Sequence, residues 1–296
     1  MRRRAIVWFR NDLRLHDNEA ITNALRMADE VIPVYIFDER IFRGQTRFGF
    51  AKTGKFRAKF ILECIRNLKE NLRRIGSDLV VRVGIPEEIV ADMAKEHHCS
   101  WVFCNRERTH EEVLVQDKLE KKLWDCGIEL IFTRGKMLYH TQDLPAPVQH
   151  IPDVFSHFRK ETEGVTAIRP PLPTPVSMPA LPAEVELGNV PDLIDFGHEP
   201  FTTSASAALD FKGGETEGIK RLKHYLWGSN AVATYKQTRN GLIGPDYSSK
   251  FSPWLSTGCL SPKYIYAELR RYEAERTSNE STYWLFLNSF GAIFSV

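Results

Sequence analysis

Five short apolar runs alternating with helical patterns occupy the first 135 residues and dictate a layered α/β fold. The runs are Ala5–Phe9, Val31–Phe37, Leu79–Val83, Trp101–Cys104 and Ile128–Phe132, rich in β-branched and aromatic residues. Between them the apolar spacing changes to the helical period. The clearest case spans about Lys55 to Ile75, with Ile61, Ile65, Leu68, Leu72 and Ile75 on one stripe. Thr53 is its expected N-cap and Gly76 its expected stop. Pro86-Glu87-Glu88 opens another helix, and a further one runs from about Thr109 to Cys126 and stops at Gly127. Such alternation predicts a doubly wound parallel sheet, which binds ligands at the carboxyl ends of its strands. The first turn reads Arg10-Asn11-Asp12-Leu13-Arg14, with no GxGxxG and no Walker A. That argues against a nicotinamide dehydrogenase or a P-loop enzyme.

The pattern then changes. Eleven of the sixteen prolines fall between residues 141 and 200, and Pro170-Pro171-Leu172-Pro173-Thr174-Pro175 fits neither a helix nor a central strand. The expected organisation is an α/β domain over 1–135, a partly extended connector over 136–205 and a helical domain over 206–296. In the last part Ile219, Leu222, Tyr225 and Leu226 share one face, and Ile265, Leu269 and Tyr272 another. Ser252-Pro253 and Ser261-Pro262 each set an expected N-capping hydroxyl before a helix-opening proline.

Bulk properties exclude several classes. Hydrophobic residues make up 43% and charged residues 26%, a core-forming composition. No apolar run approaches the roughly 20 residues of a membrane span, and Met1-Arg2-Arg3-Arg4 leads straight into a strand, so a cytoplasmic protein is expected. A monomer is expected as well. Five cysteines without a CxxC predict buried reduced thiols rather than a disulfide framework. His97-His98 beside Cys99 lacks a second ligand pair and reads as surface, not as a metal site. No Ser/His/Asp triad or paired carboxylate stands out as catalytic.

The densest chemistry lies at Tyr235-Lys236-Gln237-Thr238-Arg239-Asn240 and Tyr247-Ser248-Ser249-Lys250-Phe251-Ser252-Pro253-Trp254-Leu255. Ser248, Ser249 and Ser252 supply hydroxyls, Lys250 a charge, Phe251 and Trp254 apolar surface, and a helix start supplies free amides. A phosphate-bearing aromatic cofactor suits that mixture, although a capped helix with a surface lysine has the same letters.

These motifs resemble those of the cryptochrome/DNA photolyase family, and within it the DASH-type cryptochromes. The likeness rests on Trp8-Phe9-Arg10-Asn11-Asp12-Leu13-Arg14-Leu15-His16-Asp17-Asn18, on Phe155-Ser156-His157-Phe158-Arg159-Lys160, on the two segments just quoted and on Thr257-Gly258-Cys259-Leu260-Ser261-Pro262. It implies FAD contacts, mostly to the diphosphate, from Tyr235, Ser248, Ser249, Lys250, Phe251 and Ser252. It implies a DNA-phosphate contact from Arg239, with a solvated arginine as the alternative. Phe211 to Glu275 carries ten Lys/Arg against six Asp/Glu, an excess of four compatible with a nucleic-acid face. Glu111 or Glu112 lies near the family's contact to a methenyltetrahydrofolate antenna, and either is equally a helix-dipole partner. The implied reaction is blue-light-driven electron transfer from reduced FAD to a cyclobutane pyrimidine dimer in single-stranded or damaged DNA.

The resemblance holds up to Leu285. Where the family continues with a helix like Ile-Phe-Glu-Leu-Leu-Trp-Arg-Asp-Tyr-Phe, this chain reads Phe286-Leu287-Asn288-Ser289-Phe290-Gly291-Ala292-Ile293-Phe294-Ser295-Val296. Back-translated with one added base, the tail becomes Ile-Phe-Glu-Phe-Val-Trp-Ser-Asp-Phe-Phe, so a one-base frameshift is expected and the coding DNA decides it. A chain ending there would hold flavin weakly and leave apolar helix faces uncovered. Two other readings stay open, a flavin photoreceptor or DNA-binding protein without repair, and a free-standing nucleotide-binding α/β protein.

Overall fold

The computed structural model describes residues 2–294 apart from 148–149, 153, 205–206 and 242–243, and excludes the side chains of 289–294. The last part of the anomalous tail therefore lies outside the described side chains. Strands β1 (Arg4–Phe9), β2 (Glu30–Asp38), β3 (Val80–Gly84), β4 (Trp101–Asn105) and β5 (Glu129–Thr133) pair in parallel in the order β3-β2-β1-β4-β5. The order reverses between β1 and β4, as in doubly wound folds.

Alternation along the strands separates two apolar layers. Ala5, Val7 and Phe9 of β1 and Val31, Tyr35 and Phe37 of β2 face one core, with α1 (Glu19–Met27) and α3 (Lys55–Arg74). Ile6 and Trp8 with Ile32, Val34 and Ile36 face the other, under α4 (Pro86–Glu96) and α5 (His110–Asp125). Period-two strands between helices on both faces produce this sandwich. A short α2 (Glu39–Phe42) follows β2.

The proline-rich stretch carries α6 (Phe155–Thr162) and then runs extended along the sheet layer. Met178 donates its amide to Ile75 at 2.7 Å, and Leu187 accepts the Val81 amide at 2.8 Å. Beyond it come α7 (Glu215–Lys223), a π turn (His224–Gly228), α8 (Tyr235–Thr238), α9 (Ser252–Ser256), α10 (Pro262–Glu275) and α11 (Glu280–Phe294). Leu222, Tyr225, Trp254, Tyr272 and Leu285 of these helices belong to the same core as one face of the sheet.

The turn after β1 joins the two layers. Arg14, 1% exposed, donates to the carbonyls of His16 (3.1 Å), Asp17 (3.1 Å), Gly135 (2.9 Å) and Gly258 (2.8 Å). Asp17 takes Lys263 at 2.7 Å and the hydroxyl of Ser261. Glu215 accepts from the Leu15 and His16 amides, each at 3.0 Å, and lies 2.5 Å from His16 Nδ1. Gly258 approaches so closely that an added Cβ would stand 2.0 Å from the Asn11 carbonyl, and its φ is +70°.

Three local expectations are corrected. Gly54, not Thr53, is the N-cap of α3, because the Thr53 hydroxyl is drawn to the Ile41 carbonyl at 2.9 Å. His97 is buried rather than superficial, its carbonyl held by Arg4, while His98 closes the helix in a left-handed conformation. Cys126 is exposed, unlike the other four cysteines.

Candidate functional site

Tyr235 opens α8 directly after a 3₁₀ turn at Ala231–Thr234, which buries its side chain. Its hydroxyl accepts from Asn288 Nδ2 at 2.8 Å, leaving its own proton free to donate. The Tyr235 ring meets Tyr225 edge-on at 6.5 Å, and Tyr225 meets Phe251 at 5.7 Å. Tyr225 is fully buried, and its hydroxyl has no hydrogen-bond partner among the described residues. Burial raises its pKa, so it remains a neutral donor. An unpaired buried hydroxyl costs roughly 1–3 kcal/mol, which a polar ligand would relieve.

Arg221 organises the neighbouring loop. Its Nε donates to the Ser249 carbonyl at 3.0 Å, and its terminal nitrogens reach the carbonyls of Pro245 (2.7 Å) and Ser248 (3.2 Å) and Asp246 Oδ1 (2.8 Å). Asp246 also faces His224 Nε2 at 3.1 Å. Burial opposes its charge, but the hydrogen bonds from Arg221 and His224 prevail and hold its pKa below the usual carboxylate range. The loop is thereby held with Lys250 at φ +55°, a conformation unusual for a side-chain-bearing residue. Ser248 and Ser249 are half-buried and Ser252 is exposed. Apart from the Asp246 carboxylate, the loop's bonds to Arg221 use carbonyls, and the three serine hydroxyls have no hydrogen-bond partner among the described residues.

Ser252 does not cap its helix. Helix α9 begins at Ser252 with Phe251 as its N-cap and no side-chain cap, whereas Ser261 does cap α10 by accepting from the Tyr264 amide at 3.3 Å. Five residues generate little dipole, so any attraction for an anion here rests on Lys250 and the hydroxyls. Phe251 and Trp254 are both buried, the latter with its indole N–H on the Lys212 carbonyl at 3.0 Å.

The remaining expected residues stand apart from this corner. Arg239, one turn beyond Tyr235, is half-buried with its guanidinium 4.7 Å from the centroid of Trp284. Lys236 reaches the same ring at 5.8 Å and pairs with Glu280. Glu111 lies in the first turn of α5 and is paired with Lys52 at 3.0 and 3.2 Å. It borders a cleft of about 180 Å³ with Asp38, Arg40 and Val115, smaller than the roughly 300–1,000 Å³ of typical ligand pockets. Glu112 is paired with Arg10. Between the carboxyl ends of β1 and β4, Gln116 accepts from Arg10 at 2.8 Å and from the Glu107 amide at 2.7 Å, and Lys136 neutralises Glu107 at 2.7 Å. No group of three or more His, Cys, Asp or Glu side chains able to hold a metal occurs among the described residues.

Arg221 escaped the sequence reading, and Tyr225 was read only as part of an apolar helix face. The signal for Arg221 was there: Glu215, Gly218 and Arg221 recur every third residue on the buried face of α7. A charge on an apolar stripe marks a side chain with a partner.

Comparison with known proteins extends across this geometry. Residues 5–178 match the family model for DNA photolyase. Cryptochrome DASH of Gloeobacter violaceus is 47% identical over 280 residues, covering 95% of this chain and 56% of that protein. The crystal structure of the Synechocystis sp. PCC6803 cryptochrome superposes with a TM-score of 0.94 at 42% identity, over 98% of this chain and 60% of that one. An archaeal photolyase from Sulfolobus tokodaii, solved with two FAD molecules, shares the fold at a TM-score of 0.71 and 23% identity, over 98% of this chain and 60% of its own. The chain spans a little over half the length of these relatives.

Proposed function

The chain belongs to the DNA photolyase family, and from that membership we propose that it forms part of a blue-light flavoprotein of the cryptochrome DASH type. The observation that carries the reading is the likeness to the Synechocystis cryptochrome over 98% of the chain. The residues of the Tyr235–Trp254 corner fit an FAD: unpartnered hydroxyls, a cation and an aromatic wall stand on adjoining segments.

FAD, when bound, supplies light absorption and the electron that opens a cyclobutane pyrimidine dimer. Tyr235, Ser248, Ser249 and Ser252 would donate hydrogen bonds from their hydroxyls to its diphosphate, and Lys250 would contribute the charge. Phe251, buried against Tyr225, excludes water from that grip. Arg221 acts indirectly, by presenting the loop. Arg239, supported on Trp284, offers its charge to a DNA phosphate. Single-stranded DNA is the proposed substrate, since a base already unstacked needs no extrusion. Glu111, once released from Lys52, would contact a methenyltetrahydrofolate antenna. The division at residues 135 and 205, a monomeric state and a cytoplasmic location belong to the same proposal.

Titration of the purified chain with FAD, followed by flavin fluorescence, tests the site. Tyr235→Phe and Lys250→Ala should each weaken binding about tenfold, as expected for one charge-assisted hydrogen bond. A chain that takes up no FAD, or whose uptake ignores both substitutions, would refute it. Blue-light splitting of dimers in single-stranded oligonucleotides then separates repair from light sensing.

A further inference from the structure

The most cationic stretch of the chain lies outside the flavin corner. Between Arg43 and Leu62 there are six Lys/Arg and no Asp/Glu. Here a small hairpin is closed by the Gln45–Ala51 bridge, with the Thr46 amide on the Phe50 carbonyl at 2.7 Å and the Gly49 amide on the Thr46 carbonyl at 2.9 Å. Gly49, at φ +80°, makes the tight reversal. This ordered turn presents Phe48 and Phe50 to solvent at 70% and 71% exposure, and Phe56 at the start of α3 is 67% exposed.

Two of the three rings, Phe48 and Phe56, are accompanied by a cation. Arg47 lies 4.7 Å from the Phe48 centroid. Phe56 meets Phe201 edge-on at 4.7 Å, with Lys55 above both rings at 5.5 and 5.1 Å. Glu111 neutralises Lys52, and Glu63 lies 3.9 Å from Lys59. Arg47, Lys55 and Arg57 have no carboxylate partner among the described residues. Three exposed phenylalanines close in sequence are an unusual apolar exposure that calls for a partner.

We propose that this hairpin and the start of α3 form a stacking platform for single-stranded nucleic acid, separate from the Tyr235–Trp254 corner. Exposed aromatic faces interleaved with cations suit splayed bases joined by phosphates. A duplex offers no unstacked base to such rings. The three rings stand in solvent, and the neighbouring cleft is lined by other residues, so a polymer making repeated weak contacts fits better than a small molecule needing enclosure. The proposal does not depend on the flavin reading.

Fluorescence anisotropy with a labelled oligo-dT of about 16 nucleotides tests it. The double variant Phe48→Ala/Phe50→Ala should bind at least tenfold more weakly, as expected for two stacked bases. Arg47→Gln/Lys55→Gln should flatten the salt dependence, and FAD uptake should stay unchanged in both variants. Unaltered oligonucleotide affinity in the phenylalanine variant would overturn the proposal. So would binding to anionic phosphatidylserine vesicles without binding to the oligonucleotide, which would mark a membrane contact. Loss of FAD uptake in a folded phenylalanine variant would assign the rings to the flavin instead.

Discussion

At the scale of single residues, the decisive groups are buried polar side chains with fully specified partners. His16 shows how far geometry fixes chemistry. Its Nε2 accepts the Ser261 amide at 3.2 Å, so the ring proton sits on Nδ1 and points to Glu215. Burial opposes the charge of Glu215, yet the hydrogen bonds from the His16 ring and the Leu15 and His16 amides outweigh it and depress its pKa. The unfolded chain therefore binds a proton at Glu215 that the folded chain refuses. Its stabilising contribution is complete above the ordinary glutamate value and is lost as pH falls through the lower folded value. Acid titration followed by circular dichroism should show this as a flatter loss of stability below about pH 4.5 in Glu215→Gln, and the substitution itself should cost roughly 2–4 kcal/mol at neutral pH. Cysteines behave differently. Burial pushes the Cys99 and Cys104 thiols up to about 12, and Cys64 rises as well. Native protein should thus titrate one fast thiol, Cys126, with a disulfide reagent, and all five after denaturation. The Cys99 and Cys104 environments were legible from their place beside or within strands. The partners of His16 were not, because Glu215 lies 199 residues away.

At the scale of elements, the five strands and the helices α3, α4 and α5 fall within a residue or two of the periodic pattern, since both apolar faces must be buried there, whereas α1 and α2 were not read. Caps were less legible. Ser261 and Ser252 precede proline in identical dipeptides, yet only Ser261 accepts its helix amide. The difference is tertiary: Ser261 is fixed by the Asp17 carboxylate, while the Ser252 segment takes its shape from Arg221. Arg221→Lys keeps the charge but loses the planar fork that gathers carbonyls of Pro245, Ser248 and Ser249. It should lower stability by about 2 kcal/mol and open the loop to limited proteolysis near Gly244, with FAD affinity falling in parallel. Gly258 offers a test of the junction between layers. An alanine there meets both a positive φ and the Asn11 carbonyl, so Gly258→Ala should cost about 3 kcal/mol or more in urea unfolding. Gly258→Ser should fare no better.

At the scale of the whole molecule, the expected parts share an interior. One face of the sheet and the helices from α7 to α11 belong to one apolar core, from Val7 and Phe9 to Trp254, Tyr272 and Leu285. Composition and proline content showed where the chain changes character, but not that its two halves would interlock through the β1 turn. Such continuity predicts one cooperative transition. Far-ultraviolet circular dichroism and tryptophan fluorescence should give coincident urea curves, and Gly258→Ala should move both together rather than split them.

Arg14 turns that continuity into an order of events. Its guanidinium is seated only when carbonyls from the β1 turn, from Gly135 beyond β5 and from Gly258 before α10 converge on it. The side chain therefore works as a coincidence detector: it stays unsatisfied until stretches of chain made far apart in time during synthesis have all arrived.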